Sequence, residues 1–199
     1  MTIAITPYIY LNKYNKICFS INKEWSGFVS KLNSDILMLC DYSRFRKIVS
    51  GKEIKAVVLS GGGDISKIND TKINKLRDNF EVNLTKYCFK KKIPIIAVCR
   101  GFQLLAAKEG CKLKKNKETS NSHSINVKVK GNDKNLKVNS FHKYKIFNLN
   151  SNFDILGKCK DGSIEIASHK TKKLLCFMMH PERPGNDKFI FKMIQSFIK

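Results

Sequence analysis

Arginine is scarce in this chain: 5 Arg stand against 33 Lys in 199 residues, although the formal net charge reaches +22. Specific nucleic-acid readers concentrate Arg and aromatic side chains in a defined element. Here the lysines are spread along the chain among abundant Asn and Ile, with no zinc-finger, RNP or helix-turn-helix pattern. A dedicated nucleic-acid function is therefore not expected. A basic polyanion-binding protein is the non-enzyme alternative, and a basic surface also suits an anionic small substrate. The seven cysteines include no C-x-x-C pair and are odd in number, which excludes a disulfide framework and implies free thiols in a reducing compartment. No apolar run is long enough to span a bilayer, and Met1–Tyr8 lacks a charged segment followed by an apolar stretch, so a cytoplasmic protein without membrane contact is expected. The four His show no metal-ligand spacing, so neither metal nor cofactor is expected. Without internal repeats or a low-complexity linker, residues 1–199 are expected to form one domain.

What is present is a set of apolar runs at strand and helix periods. Residues 2–5 and 8–10 read as a first strand and its exit, 25–32 as helical, 35–39 as a strand and 42–49 as a basic helix. Residues 56–59 are wholly apolar and β-branched, a strand buried on both faces. It ends at Ser60-Gly61-Gly62-Gly63-Asp64. Three glycines after a buried strand favour a ligand loop over a plain turn, because α/β sheets bind ligands at strand C-terminal ends. Residues 74–91 carry a helix period, 95–98 form the next buried strand, and 102–108 continue as a helix ending near Gly110. Residues 56–110 thus form a βαβα unit, which implies a parallel sheet. The tract 112–121 is polar, an expected exposed loop. Runs at 124–129, 136–138, 153–156, 164–167 and 174–179 suggest antiparallel or mixed strands, and 189–198 an amphipathic terminal helix.

Two segments carry the chemistry. In Ile95-Ile96-Ala97-Val98-Cys99-Arg100-Gly101-Phe102-Gln103 a buried strand stops at a Cys and a Gly and turns into a helix. A nucleophile at such a turn stands above the sheet with N–H groups close by as oxyanion donors. In Phe177-Met178-Met179-His180-Pro181-Glu182-Arg183 extended chain points residues i and i+2 the same way, so Glu182 can orient His180 while His180 faces the thiol. Each half has a plainer reading: free cysteines are usually core fillers, and His-Pro can simply end a strand. For Cys18, Cys40, Cys88, Cys111, Cys159 and Cys176 the core reading is adopted. Together, in this order, the two segments supply nucleophile, base and orienting acid for acyl transfer.

With Arg77-Asp78 and Glu81 on the intervening helix and Asn139-Ser140-Phe141-His142 further on, these motifs resemble the class I glutamine amidotransferases, and within them the stand-alone γ-glutamyl hydrolases. The likeness runs from about residue 55 to the C-terminus. The resemblance implies a flavodoxin-like α/β fold, with a mostly parallel central sheet flanked by helices and some antiparallel strands in the second half. It also implies a cysteine-dependent hydrolase that cleaves a γ-glutamyl amide to release glutamate, with a catalytic set of Cys99, His180 and Glu182. Backbone N–H groups of Gly62 (or Gly61) and Arg100 would form the oxyanion hole. Gln103, Asn139, Ser140, Phe141 and His142 would contact the glutamyl group, Ser140 and Phe141 through their backbone.

The compact length, the Asn-Ser-Phe-His motif and His-x-Glu-Arg before the last helix are similar to members that act on a nucleotide-linked γ-glutamyl amide in bacterial capsule decoration. For such a substrate Arg100, Arg183, Lys143 and Lys145 are candidates to receive a diphosphate, unless they only share the general lysine excess. The alternatives within the same chemistry are a general γ-glutamyl-amine hydrolase and a glutaminase that passes ammonia to a separate synthetase. The sequence departs from the family at Ala97, where Gly is usual, and matches it weakly over the first fifty residues. Arg77, Asp78 and Glu81 read equally as a solvated helix face or a structural ion pair. His123 and His169 read as surface or loop residues.

Overall fold

The computed structural model describes residues 1–116, 121–129 and 132–199. Its elements in chain order are β1 (Thr2–Thr6), β2 (Tyr8–Leu11), β3 (Ile17–Ser20), α1 (Glu24–Ser30), β4 (Asp35–Met38), α2 (Phe45–Ser50), β5 (Ile54–Leu59), α3 (Lys72–Lys91), β6 (Ile95–Val98), α4 (Arg100–Lys108), β7 (Leu113–Lys115), β8 (Ser122–Val129), β9 (Asn132–Asn139), β10 (Tyr144–Ile146), β11 (Phe153–Cys159), β12 (Ile164–His169), β13 (Leu174–Phe177) and α5 (Lys188–Phe197).

Nine strands form one mixed sheet in the order β4-β1-β5-β6-β13-β12-β11-β8-β9. The first five are mutually parallel, and their order relative to the chain is that of the flavodoxin-like doubly wound fold. From β13 outward the neighbours run antiparallel. The expected α/β fold with antiparallel strands in its second half is therefore observed. Its central strands are the wholly apolar ones: Ile95, Ile96, Ala97 and Val98 of β6 are all buried, as a strand covered on both faces requires. One face is packed by Trp25, Phe28 and Val29 of α1 and by Ile190 and Ile194 of α5. The other is packed by Phe45 of α2, Phe80 and Leu84 of α3, and Phe102 and Leu105 of α4. Ala97 is fully buried within this second core, so the methyl group that replaces the usual glycine hydrogen is accommodated.

Three short strands escape the sequence patterns. β3 pairs with β2 as a hairpin, turned at Asn15, whose φ is 57°. β7 and β10 pair with each other, so residues 113–115 of the expected loop are a strand. The part of that expected loop at 117–120 lies outside the described residues. The helix expected over 42–49 begins only at Phe45, because Asp41 accepts the amides of Ser43 and Arg44 and closes a turn there.

Candidate active site

The chemistry-bearing loops follow three adjacent parallel strands: the glycine loop follows β5, Cys99 follows β6, and the His180 segment follows β13. Because β6 lies between the other two, their C-terminal ends deliver all three loops to one spot.

Cys99 takes φ 49° and ψ −100° and caps α4. A non-glycine residue in that region carries strain of about 1–3 kcal/mol, held only by the structure around it. The holding bonds are the Cys99 amide donating to the Phe177 carbonyl (2.7 Å) and the Gln103 amide donating to the Cys99 carbonyl (2.9 Å). Gly101 completes the elbow, since a Cβ there would collide with the Leu59 backbone. Across from the thiol, a Cβ on Gly61 would lie 2.5 Å from His180 Cε1 and 3.3 Å from Cys99 Cβ. Glycine at 61 is thus what lets the imidazole and the thiol approach each other.

His180 Nδ1 lies 2.7 Å from Glu182 Oε1, and both side chains are buried. A carboxylate there accepts from Nδ1–H and leaves Nε2 for the thiol. Burial disfavours the imidazolium, but the Cys99 sulfur and the Glu182 carboxylate outweigh it and raise the His180 pKa to about 9. The backbone of His180 is clamped by one amide: Asn139 Oδ1 accepts from His180 N–H (2.9 Å), and Asn139 Nδ2 donates to His180 O (2.8 Å). The side chain of Asn139, expected from sequence to contact substrate, is therefore engaged in positioning His180.

Arg77, Asp78, Glu81 and Arg100 form a buried ion cluster under the glycine loop, so the solvated-face reading does not hold. Arg77 donates to Glu81 (2.9 Å) and to the carbonyls of Ser60 and Gly62 (2.8 Å each). Arg100 donates to Glu81 (2.5 Å), to Asp78 and to the Asp64 carbonyl (3.1 Å). Burial works against the Glu81 carboxylate, yet Arg77 and Arg100 hold its pKa below the ordinary range. With its carbonyls drawn down onto Arg77, the loop has fixed orientation, and Gly62 at φ 89° and Gly63 at φ 75° adopt conformations that disfavour side chains. The Arg100 side chain, at 1% exposure, is spent on this cluster and cannot receive a diphosphate. Lys145 is likewise buried and bonded to Asp161 (2.9 Å), which removes it from the same role.

A cavity of about 410 Å3 opens over Cys99, with Gln103, Phe141, Lys143, Asp64 and Arg183 on its wall. Gln103 Nε2 reaches the Tyr144 carbonyl at 3.3 Å. The Ser140 amide donates to the Asn121 carbonyl, so that N–H is not a substrate donor. Phe141 is 47% exposed and packs edge-on to His180 and against the Arg183 guanidinium. His142 borders the cavity while its buried ring faces Glu165 and His123; His123 is thus no loose surface residue. A concavity of about 600 Å3 between α1 and α5 has neither Cys99 nor His180 on its wall. Sequence patterns overlooked Tyr8, whose ring covers Gly62 and Gly63. Its only signal is the exposed aromatic alternation of Tyr8 and Tyr10.

Residues 36–182 match the peptidase C26 family. The chain belongs to that family. It is 30% identical over 161 residues (80% of this chain, 76% of the other) to γ-glutamyl-CDP-amidate hydrolase of Campylobacter jejuni. It is 28% identical over 142 residues (68% and 69%) to a glutamine-hydrolysing GMP synthase subunit of Methanococcus aeolicus. Among solved structures, a GMP synthase subunit protein of Thermoplasma acidophilum superposes with a TM-score of 0.70 at 18% identity, covering 100% of this chain and 92% of that one. A glutamine amidotransferase of Thermotoga maritima gives 0.65 at 16% identity, covering 91% and 76%. This C26 chain is accordingly an amide hydrolase of glutamine amidotransferase type. No helix among its described residues is long and apolar enough to cross a membrane.

Proposed function

We propose that this chain cleaves a γ-glutamyl amide through a Cys99 thioester and releases glutamate, with a nucleotide-linked amide such as γ-glutamyl-CDP-amidate as its substrate. The observation that carries this reading is the meeting of a strained Cys99 elbow with His180, itself paired to Glu182, around a glycine that admits no side chain.

Cys99 gives its proton to His180 and attacks the γ-carbonyl. The oxyanion is received by N–H groups of Gly62 and Arg100, each such donor contributing about 3–4 kcal/mol in related chemistry. His180 then protonates the leaving nitrogen, and the C–N bond breaks. Water, deprotonated by His180, attacks the thioester carbonyl; the C–S bond breaks and glutamate leaves. Glu182 holds the tautomer and balances the imidazolium. Support for an anionic leaving group comes from Arg183 and Lys143 on the cavity wall, since Arg suits phosphate oxygens, and from the likeness to the Campylobacter enzyme.

The likeness to the Methanococcus GMP synthase subunit favours a second reading, in which the chain hydrolyses glutamine and passes ammonia to a separate synthetase. The test is the purified chain alone, assayed for glutamate release. Turnover of γ-glutamyl-CDP-amidate with kcat/KM far above that of glutamine is expected. Negligible turnover of every γ-glutamyl amide, restored by an added synthetase, would overturn the first reading in favour of the second.

A further inference from the structure

We infer a divalent-metal site, suited to zinc, formed by His123 of β8, His142 after β9 and Glu165 of β12. One ligand atom from each of the three lies within 4.8 Å of the others. His123 Nε2 and His142 Nε2 stand 3.5 and 3.3 Å from the same oxygen, Glu165 Oε1. These separations are close to the edge of a tetrahedron built on metal–nitrogen and metal–oxygen bonds of about 2.0–2.2 Å.

The hydrogen bonding calls for a cation at this place. His142 Nδ1 lies 3.1 Å from the Tyr144 carbonyl, and a carbonyl only accepts, so Nδ1 carries a proton. In the neutral ring Nε2 then holds a lone pair aimed at a carboxylate, which also holds lone pairs. Two acceptors facing each other need a positive centre between them, a proton or a metal ion, and the Ser140 hydroxyl at 3.5 Å from Nε2 is the other polar neighbour of that nitrogen. Glu165, whose side chain is 1% exposed, meets the two imidazoles at ion-pair distance without an aligned hydrogen bond on either oxygen. Buried polar groups left in that state are rare. A ring nitrogen fixed by a carbonyl on its far side is how ligating histidines are usually oriented. The Cys159 thiol lies against His123, which adds a soft donor and favours zinc over magnesium or calcium. Neither Cys99 nor His180 is among the ligands, but His142 borders the cavity over Cys99, and the site would tie two strands of the antiparallel half to the loop that carries Phe141 on the cavity wall. Spacings of 19 and 23 residues between the ligands hide it from any local motif.

The test uses the full chain as Cys99→Ser, so that the Cys99 sulfur cannot bind zinc. After treatment with a chelator, titration with ZnCl2 in a calorimeter should show one ion bound per chain. Glu165→Gln and, separately, His123→Asn should each weaken binding at least about 10-fold, with circular dichroism unchanged in at least one of them. Imidazole 15N signals of His142 should move on zinc addition. Absence of stoichiometric binding, equal affinity for MgCl2, or zinc affinity untouched by both substitutions would overturn the site. So would 15N shifts showing His123 and His142 both doubly protonated in excess zinc.

Discussion

The five parallel strands and the antiparallel strands beyond β13 are parts of one sheet, yet they treat buried charge in opposite ways. Under the parallel half, Arg77, Asp78, Glu81 and Arg100 satisfy one another and the carbonyls of the glycine loop. In the antiparallel half, His123, His142 and Glu165 meet at ion-pair distances, and both Glu165 oxygens lack a hydrogen bond. The first arrangement is complete, and it fixes the loop that faces Cys99. The second is left unsatisfied, and it borders only the cavity wall. Strand direction explains the division of labour. Parallel neighbours send successive loops to the same sheet edge, so β5, β6 and β13 bring the glycine loop, Cys99 and His180 together; antiparallel neighbours alternate edges and cannot. On the proposed mechanism, rate would depend on the parallel half and substrate affinity on the antiparallel half.

The largest expected effect lies at the elbow. Cys99→Ala should lower kcat by about 10^4-fold or more, as loss of a nucleophile does in other triads, with an unchanged thermal midpoint. Cys88→Ala should leave kcat unchanged, because burial raises the Cys88 pKa to about 12 and keeps that thiol inert. Equal rates for Cys99→Ala and wild type would end the thioester mechanism.

Next is the orienting acid. Glu182→Gln should cut kcat by about 10^2–10^4-fold, since the wrong tautomer is favoured, while iodoacetamide still labels Cys99. The pairing also leaves a mark on stability. His180 is raised from 6.5 to about 9, so its stabilising contribution is complete below about pH 6.5 and is lost as pH climbs through about 9. Urea midpoints of the wild type should fall across that window, and Glu182→Gln should flatten the fall. A wild-type midpoint that stays level from pH 6 to 9 would show that the pairing contributes nothing.

Third comes the closed ion cluster. Removing one member of a buried pair leaves the other unpaired and costs about 3–5 kcal/mol. Glu81→Gln should therefore lower the midpoint and also slow turnover, because Arg77 and Arg100 lose the carboxylate they share. A variant destabilised to a similar degree in the α5 core, Ile194→Ala, should keep its kcat. If both lose rate equally, the cluster only supports the fold.

How much of this was legible depended on distance along the chain. The turn at Cys99 was, because a buried strand, a cysteine and a glycine fall within seven residues, 95–101. His180 and Glu182 were as well, being two apart in extended chain. The role of Arg77 was not: an Arg and a Glu four apart look the same on a solvated helix as in a core, and only burial against the glycine loop decides. Arg100 and Lys145 read as phosphate ligands because sequence shows charge but not the carboxylates that consume it. β3, β7 and β10 are three or four residues long, too short for a period to register. Asn139 was found by motif, but its partner, the backbone of His180, is 41 residues away.

The smallest effects belong to the cavity wall and test the other side of the comparison. Phe141 is exposed, packs on the Arg183 guanidinium and stands edge-on to His180. An exposed cation–π contact contributes about 0.5–1 kcal/mol, so Phe141→Leu should raise KM about 2- to 5-fold and leave kcat within about 2-fold, since about 1.4 kcal/mol corresponds to a factor of ten. Lys143→Ala should do the same for an anionic substrate and nothing for γ-glutamyl-GABA. Its effect should also fade as salt is raised, because a Debye length of about 10 Å at 0.1 M shrinks to about 3 Å at 1 M. A Phe141→Leu enzyme with intact KM and tenfold lower kcat would reverse the assignment, placing part of the rate in the antiparallel half through the ring's contact with His180.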